Sequence, residues 1–575
     1  MSAFQLHELD STADYASQAE FETTNDWVAA DYVFLVPQLV DRPTFDWAVN
    51  EAIRVGASPD EILIRSGRLS QMEFNWAFRN AQANSIVTDS ETTDDLATPH
   101  ISSRMRFAAS GIRRTAPHFS AATGLWSWQV AALVSVPGLL IGIGLVEPGL
   151  VAPAALGTLS VIFLIVVLLR LVAAVIVVAG PSDVDLLTRL RLSDEELPTY
   201  AVVVPLYREA DIVADCISAM ANVDYPTDKL DIVFAVEADD AATLDAFARV
   251  PLPLHMRIEV VAVGEPRTKP KALNYVLAGL SCEYVAVYDA EDLPEPDQLR
   301  KAAIRFSAGG ANLGCLQAKL NIYNWDDCVI TRQFCLEYSG LFDGFLRALE
   351  FAGLPIPLGG TSNHFPRSVL QAIGGWDAHN VTEDADLGLR LARLGYRVSV
   401  LDSTTWEEAP ANAGVWLRQR TRWIKGWLQT YAVHMRQPFR LLRDLGFWRF
   451  AGLQAFVGGL LASAFLHPLV YILIALQVSG PDPFAIPSDP LSKTMWAIAA
   501  FNVGAGLISA AVLAGVSVVK RRRPKLLMSL LLMPVYWLAI TIAAYRAAWH
   551  LWAKPFSWEK TPHRARTGQE RRHPV

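Results

Sequence analysis

The sequence predicts an α/β domain with a mainly parallel sheet, set between pairs of membrane-spanning helices. Three observations carry that expectation. Residues 198–440 alternate β-branched runs with helical stretches. Apolar stretches long enough to cross a bilayer flank that region on both sides. The chain is 52% apolar over 575 residues with positive mean hydropathy, which is high for a wholly soluble protein and too long for one ordinary core.

Charge and cysteine usage narrow the class. A net charge of −8 argues against general nucleic-acid binding, and the basic residues gather beside apolar runs, where they act as orientation signals. The cysteines, Cys216, Cys282, Cys315, Cys328 and Cys335, are odd in number, lack CxxC spacing and fall in one segment. That pattern favours a reduced cytosolic domain without structural zinc.

Taken in order, residues 1–84 form a small helical module. Residues 1–30 are polar and acidic, unlike a secretory signal. Over 43–82, Pro59-Asp60-Glu61 can start a helix and Gly67 can end one, before Leu69, Phe74 and Phe78 continue the apolar stripe. Residues 85–118, rich in Ser, Thr, Asp and Pro, read as a linker. Residues 119–180 hold two apolar stretches, Trp126 to Val146 and Leu150 to Val178, with Arg113 and Arg114 before them and Arg189 and Arg191 after, so a hairpin with both ends inside fits the positive-inside tendency. Arg170 sits within the second, where a charge costs about 2.5–3.5 kcal/mol on insertion scales; snorkelling is preferred over a polar conduit. Residues 181–440 form the α/β domain, with strands at 200–205, 231–236 and 284–288 and a helix at 211–222. Residues 441–520 form a second hairpin with spans near 449–477 and 494–518, ending at Lys520-Arg521-Arg522-Arg523. Residues 521–553 read as an interfacial or re-entrant helix interrupted near Pro534, because a crossing there would put the basic tail 554–575 outside.

The residues that carry chemistry fall in a fixed order. Glu237-Ala238-Asp239-Asp240 and Asp289-Ala290-Glu291-Asp292 each follow a strand. Pro205, Glu237 and Asp289 thus lie at carboxyl ends of strands, where open parallel sheets bind ligands. Hard carboxylate ligands suit Mg²⁺ or Mn²⁺ holding a nucleotide diphosphate, and either Glu291 or Asp292 joins Asp289 in that task. Thr382-Glu383-Asp384 opens a helix with Thr382 near its N-cap, and its carboxylates suit a general base. In Gln419-Arg420-Thr421-Arg422-Trp423, Gln419, Arg422 and Trp423 share one helical face, and Trp416 and Trp427 extend an aromatic stripe suited to a membrane interface. Arginine offers a forked donor to phosphate, and tryptophan a flat surface to a sugar. This order, followed closely by membrane-spanning sequence, implies sugar transfer at a membrane.

Together with Val204-Pro205-Leu206-Tyr207-Arg208-Glu209, these motifs resemble a processive family-2 glycosyltransferase of the cellulose, chitin and hyaluronan synthase type, over about residues 45–565. In particular they resemble the bacterial phage-adsorption-protein-B-like branch, which joins a secretion-ATPase-like module to such a domain. The resemblance implies a GT-A fold. It implies donor contacts from Pro205, Tyr207, Glu209, Glu237, Asp239, Lys269, Asp289, Gln419, Arg420 and Arg422, and metal contacts from Asp289, Glu291 and Asp292. Asp384, with Glu383 beside it, is the expected base for an inverting displacement. Gly360, Thr361, Ser362 and His364 form the expected acceptor-side loop, with Trp423 stacking on the acceptor sugar. Pro555–Thr561 resembles a gating loop, with Phe556, Trp558, Lys560 and Thr561 as candidates.

Ala57–Leu69 resembles one copy of the N-terminal domain of type II secretion ATPases, some of which bind cyclic di-GMP through a duplicated motif; a docking or stability role is preferred here. The partners implied are a nucleotide-sugar, expected to be a UDP-sugar, a polysaccharide acceptor, the lipid bilayer and periplasmic or outer-membrane export proteins. The place implied is a bacterial inner membrane, with the catalytic domain and both termini cytoplasmic. Two alternatives stay open: transfer of one sugar to a lipid acceptor, and an idle membrane scaffold for secretion or phage adsorption.

Overall fold

The computed structural model describes residues 39–55, 59–69, 94–180, 190–479 and 488–553. The gating-loop candidates Phe556, Trp558, Lys560 and Thr561, and most of residues 1–84, lie outside the described residues.

In the N-terminal unit the helices Arg42–Val55 and Pro59–Arg65 bury Phe45, Ala48, Ala52 and Leu63. Gly67 takes a left-handed φ of 69° just past the second helix, letting Arg68 N–H donate back to the Leu63 carbonyl at 3.0 Å. A helix runs over Asp94–Thr115, where composition had suggested a linker. Met105, Ala108 and Ile112 recur at helical spacing there, and that periodicity outweighs the Ser and Thr content.

The larger unit is built on one eight-stranded sheet among the described residues. Its strands are β1 Tyr200–Leu206, β2 Leu230–Glu237, β3 Met256–Val261, β4 Tyr284–Val287, β5 Leu293–Pro294, β6 Leu313–Ile322, β7 Asn363–Pro366 and β8 Arg397–Glu407, in the order β3-β2-β1-β4-β7-β6-β8-β5. β3, β2, β1 and β4 are mutually parallel; β7 runs against both β4 and β6, so β6 and its parallel neighbour β8 point the same way as β4. The central strands are nearly continuous β-branched and apolar runs because both faces are covered. Val202 and Val204 of β1, Ile232 and Phe234 of β2 and Ala286 of β4 share one buried cluster with helix residues Ile217 and Phe247. This common direction brings the carboxyl ends of β1, β2, β4, β6 and β8 to one edge of the sheet.

Apolar helices cover Ser127–Val146 and Pro148–Ala179, in the region of the two apolar stretches. After the sheet domain, Pro438–Leu466, Pro490–Lys520 and Pro524–Ala553 are each long and apolar enough to cross a membrane. The last begins as a 3₁₀ stretch, Pro524–Leu532, and becomes α-helical at Met533–Ala553, so the interruption falls beside Pro534 as the sequence suggests. It has 30 residues beside 29 and 31 in its neighbours and is at least as apolar as they are, which makes a crossing as physically open to it as the interfacial placement.

Candidate active site

The sheet edge gathers the first group of polar side chains. Just past β1, Arg208 adopts a positive φ of 55° and donates its backbone N–H to Asp240, while Glu209 N–H donates to Thr243 Oγ1 at 3.0 Å. That turn leaves Pro205, Tyr207 and Glu209 on a cavity wall. At the end of β2, Glu237 accepts from Lys271 Nζ at 2.7 Å, and burial raises its carboxyl above the ordinary range. Asp239 pairs with Arg267. Neither Lys271 nor Arg267 is visible as a site residue in the sequence; Lys271 stands two positions from Lys269, and only that spacing hints at it.

The turn after β4 separates three carboxylates into two jobs. Asp292 is fully buried, and its Oδ2 accepts from Asp289 N–H at 2.8 Å and from Thr361 Oγ1, so it staples the turn to the next loop. Asp289 and Glu291 line the cavity. Asp289 accepts from Lys269 Nζ, which also donates to the Gly360 carbonyl at 2.6 Å. Burial works against the charge on Lys269, but Asp289, Glu383 and Asp384 outweigh it and hold the ammonium well above its usual pKa. Glu291 is raised too, by burial and by Asp289 and Glu209, which favours its neutral form; Glu407, at the end of β8, is raised by burial and by Asp292, Asp289 and Glu291. Among the described residues no group of three His, Cys, Asp or Glu ligands is preassembled. The donor chemistry nonetheless fits a magnesium-like ion, which uses one or two carboxylates and takes its remaining ligands from phosphate and water. Asp289 and Glu291 are the pair with access, and their crowding with Glu209 and Glu407 is the field a cation relieves.

The second acidic group starts the helix Glu383–Arg393. Asp384 Oδ1 accepts from Ala385 N–H at 2.8 Å. Its Oδ2 faces the Gly360 loop, where an added Cβ would lie 3.2 Å away. Glu383 is raised to about 8 by burial and by Asp384, and Asp384 is raised by burial. The loop leading in is anchored by residues the sequence reading missed: Val381 N–H donates to Gln429 Oε1 at 3.1 Å, and Asn380 Nδ2 to Thr430 Oγ1 at 3.0 Å. Gly426 permits this contact, since a Cβ there would sit 2.3 Å from Thr382 Cγ2.

Those anchors belong to the helix Ala413–His434, which carries Gln419, Arg420, Arg422 and Trp423. Arg422 faces the acids: burial lowers its pKa, while Glu383, Asp289, Asp384 and Glu291 pull upward. Gln419 Oε1 is buried without a partner among the described residues. Arg420, expected beside the donor, also lines the cavity, where Glu337 and Tyr536 hold it. It makes a two-pronged pair with Glu337, both bonds 2.6 Å, donates to Tyr536 at 3.0 Å and lies 4.7 Å over the Trp423 ring. Phe334 and Tyr338 pack on Trp423 at 5.8 and 6.4 Å, fixing the indole at the cavity wall.

Part of the acceptor-side loop does not reach the cavity. Gly360 and Thr361 line it, but Ser362 is fully buried and donates to Thr405 Oγ1 at 2.6 Å. His364 is also fully buried, with Nδ1 against Tyr200 OH at 2.8 Å and Nε2 against Gln298 Oε1 at 3.2 Å, and burial lowers it to about 3. The reason is register: β7 pairs with β4 and β6, placing His364 opposite Ala286 and Leu316 inside the sheet.

A single cavity of about 1400 Å³ is lined by Asp289, Glu291, Glu383, Asp384, Arg422 and Trp423 and continues between the apolar helices past Leu460, Trp496 and Val503. A drug-sized ligand pocket is commonly about 300–1,000 Å³.

Comparison with known proteins agrees with this geometry. Residues 198–426 match the model of the glycosyltransferase-like family 2. The chain is 28% identical over 298 residues to a probable glycosyltransferase, YdaM, of Bacillus subtilis, covering 48% of this chain and 68% of that protein. It is 24% identical over 246 residues to glucomannan 4-beta-mannosyltransferase 1 of Oryza sativa, covering 41% and 46%. It is 26% identical over 321 residues to beta-monoglucosyldiacylglycerol synthase of Synechocystis, covering 52% and 66%. The alignments thus span about half to two thirds of these relatives. A solved structure of the mannosyltransferase PcManGT from Pyrobaculum calidifontis, in complex with GDP-Man and Mn²⁺, is similar at 20% identity and a TM-score of 0.43, covering 70% of this chain and 99% of that one. None of these matches supports cyclic di-GMP as a ligand, the less favoured of the two roles weighed for the N-terminal module. Residues 198–426 therefore carry the match to the glycosyltransferase-like family 2, on a GT-A-like, mostly parallel sheet.

Proposed function

We propose that this chain is a membrane-embedded, inverting glycosyltransferase that moves a sugar from a nucleotide-sugar onto a growing polysaccharide and receives the product between its own helices. The observation that carries the reading is the continuity of the cavity, from the carboxylates at the sheet edge to the walls of the apolar helices. Its volume has room for a donor and an acceptor together.

Each residue then has a task set by its surroundings. Tyr207 and Glu237 border the nucleoside end, with Lys271 holding Glu237 in place and Arg267, on the same wall, pairing with Asp239 behind it. Lys269 and Arg422 both feel the charge of Asp289, Glu383 and Asp384 and bind the diphosphate. Asp289 and Glu291 would hold a Mg²⁺ or Mn²⁺ ion, which would supply neutralisation of the leaving diphosphate. Asp384 takes the proton of the attacking acceptor hydroxyl through Oδ2, while Glu383, protonated near neutrality, donates a hydrogen bond beside it. Attack opposite the diphosphate inverts the anomeric centre. Trp423, held by Arg420, Phe334 and Tyr338, borders the acceptor sugar. Gly360 keeps the backbone close to that point without a side chain in the way.

A second reading is favoured by the wall of the cavity beyond Trp423, where Leu460, Leu461, Ala464, Leu466, Ala499 and Val503 are apolar. Such a wall suits a lipid acceptor carrying one or a few sugars. Purified full-length protein should release nucleotide from at least one sugar donor. Sizing the product then separates the readings: a long glycan supports elongation, a single-sugar lipid supports the second reading, and no release from any donor overturns both. For topology, a cysteine at Gly568 in a cysteine-free background should resist membrane-impermeant label in intact cells; labelling there would show that residues 524–553 cross the bilayer.

A further inference from the structure

We infer that Arg170 heads an anion subsite in the helix-lined half of the cavity, which takes an oxyanion, phosphate or carboxylate, borne by the acceptor; this rests on reading that half as the acceptor's path. Arg170 lies within the helix Pro148–Ala179 and borders the cavity. It does not run back toward the end of its helix as a snorkelling arginine would. Its Nη1 donates across to the Gly506 carbonyl, at 3.4 Å, on the helix Pro490–Lys520. The end of this helix pair is marked by Lys520, which donates to the Val177 carbonyl at 2.6 Å. Arg170 stands seven residues before Val177, roughly 10 Å along a helix rising 1.5 Å per residue.

The local packing builds a small polar belt at that depth. At Gly506 an added Cβ would lie 2.5 Å from Phe163 Cζ, so the absence of a side chain lets the two helices close. One turn away, Asn502 Nδ2 donates to Ser160 Oγ at 2.6 Å, and Asn502 also borders the cavity. Around these polar atoms the wall is apolar, with Phe163, Val166, Val503 and Leu507.

The charge balance supplies the argument for a ligand. The sequence has no Asp or Glu in residues 148–179, 449–479, 490–520 or 524–553. Those helices therefore offer the guanidinium no carboxylate among the described residues, and a single long bond to a carbonyl is weak compensation. Intramembrane charges persist where they meet a functional partner. The fork of an arginine matches phosphate and carboxylate oxygens, and the apolar surroundings accept the alkyl or sugar-ring body attached to them.

The test uses the full chain in phosphatidylcholine nanodiscs and three probes with the same twelve-carbon tail: dodecyl phosphate, dodecyl glucuronide and the neutral dodecyl glucoside. At least one anionic probe should bind the wild type about tenfold more tightly than the neutral probe, and Arg170→Gln should remove that margin. Arg170→Lys should keep part of it. A margin for dodecyl phosphate identifies a lipid phosphate as the source, and a margin for the glucuronide identifies an acidic glycan. Equal wild-type affinities for all three probes overturn the subsite without recourse to any variant, as does an anionic margin unchanged in Arg170→Gln. The margin should survive in Asp384→Asn. A wild type that binds the anionic probe through Arg170 yet releases nucleotide from no donor would sink the transferase reading and leave the subsite standing.

Discussion

Asp384 and Asp386 lie two residues apart on one helix and meet opposite surroundings. Asp384 borders the cavity, takes one backbone N–H, and has its pKa raised by burial. Asp386 points into the protein, where Arg390 Nε donates to it at 2.7 Å and His434 lies at 3.0 Å. Burial alone would raise Asp386, but Arg390 and His434 outweigh it and hold the carboxyl below the ordinary range. One face of the helix thus keeps an under-compensated acid for chemistry, and the other spends an acid on cohesion. Sequence treats the two alike, as acidic residues in a first helical turn, where either would favour the helix macrodipole.

The largest expected effect breaks the chemical side of this pair. Asp384→Asn should lower turnover by about 10²-fold or more while donor binding persists, since only proton removal is lost. Near wild-type synthesis by that variant would remove Asp384 from the role of base. Chelation tests the neighbouring carboxylates: it should stop turnover, and Mg²⁺ or Mn²⁺ should restore it. Full activity in a rigorously metal-free assay would leave Asp289 and Glu291 without the assigned task.

The structural side should respond in a different observable. Asp386→Asn leaves Arg390 buried without its ionic partner, and breaking a buried pair from one side costs about 3–5 kcal/mol. Thermal unfolding of the detergent-solubilised chain should shift down accordingly, with turnover per folded molecule falling much less than in Asp384→Asn. An unchanged unfolding temperature would mean that the Asp386, Arg390 and His434 cluster does not brace the helix.

The contrast also marks where the sequence was readable. Strand ends and motif order were legible because β1, β4 and the stretch Ile232–Val236 of β2 are apolar runs that stop at or beside the residues of interest. Partnerships that close over long separations were not. Arg420 and Glu337 are 83 positions apart, and Asn380 and Thr430 are 50 apart, so no local pattern announces either bond. The hold of Arg420 on Glu337 and Tyr536, at the same cavity wall, was therefore not legible beside its expected place at the diphosphate. Ser362 and His364 looked like loop residues because they follow Gly359-Gly360, yet the strand that begins at Asn363 turns His364 into the sheet. Asp292 looked like a ligand because it adjoins Glu291, but its side chain closes the turn on Thr361. Adjacency in the chain conveyed chemistry well and direction poorly.

The smallest expected effect separates Glu383 from Asp384. With Glu383 pushed up to about 8, the folded chain holds a proton there that the unfolded chain, with an ordinary carboxyl near 4.5, has already released. Folding then binds more protons across that interval, so the contribution of Glu383 to stability is fully present below the unfolded value and is lost as pH rises through about 8. Glu383→Gln has no proton to lose. Its unfolding temperature should match the wild type near pH 5 and exceed it by a few degrees near pH 9, at ~2–4 °C per kcal/mol for a domain of this size. The same difference at both pH values would mean that Glu383 is ionised in the folded chain. It would then compete with Asp384 for the acceptor proton, and the division of the helix into one base, one hydrogen-bond donor and one brace would fail at its middle member.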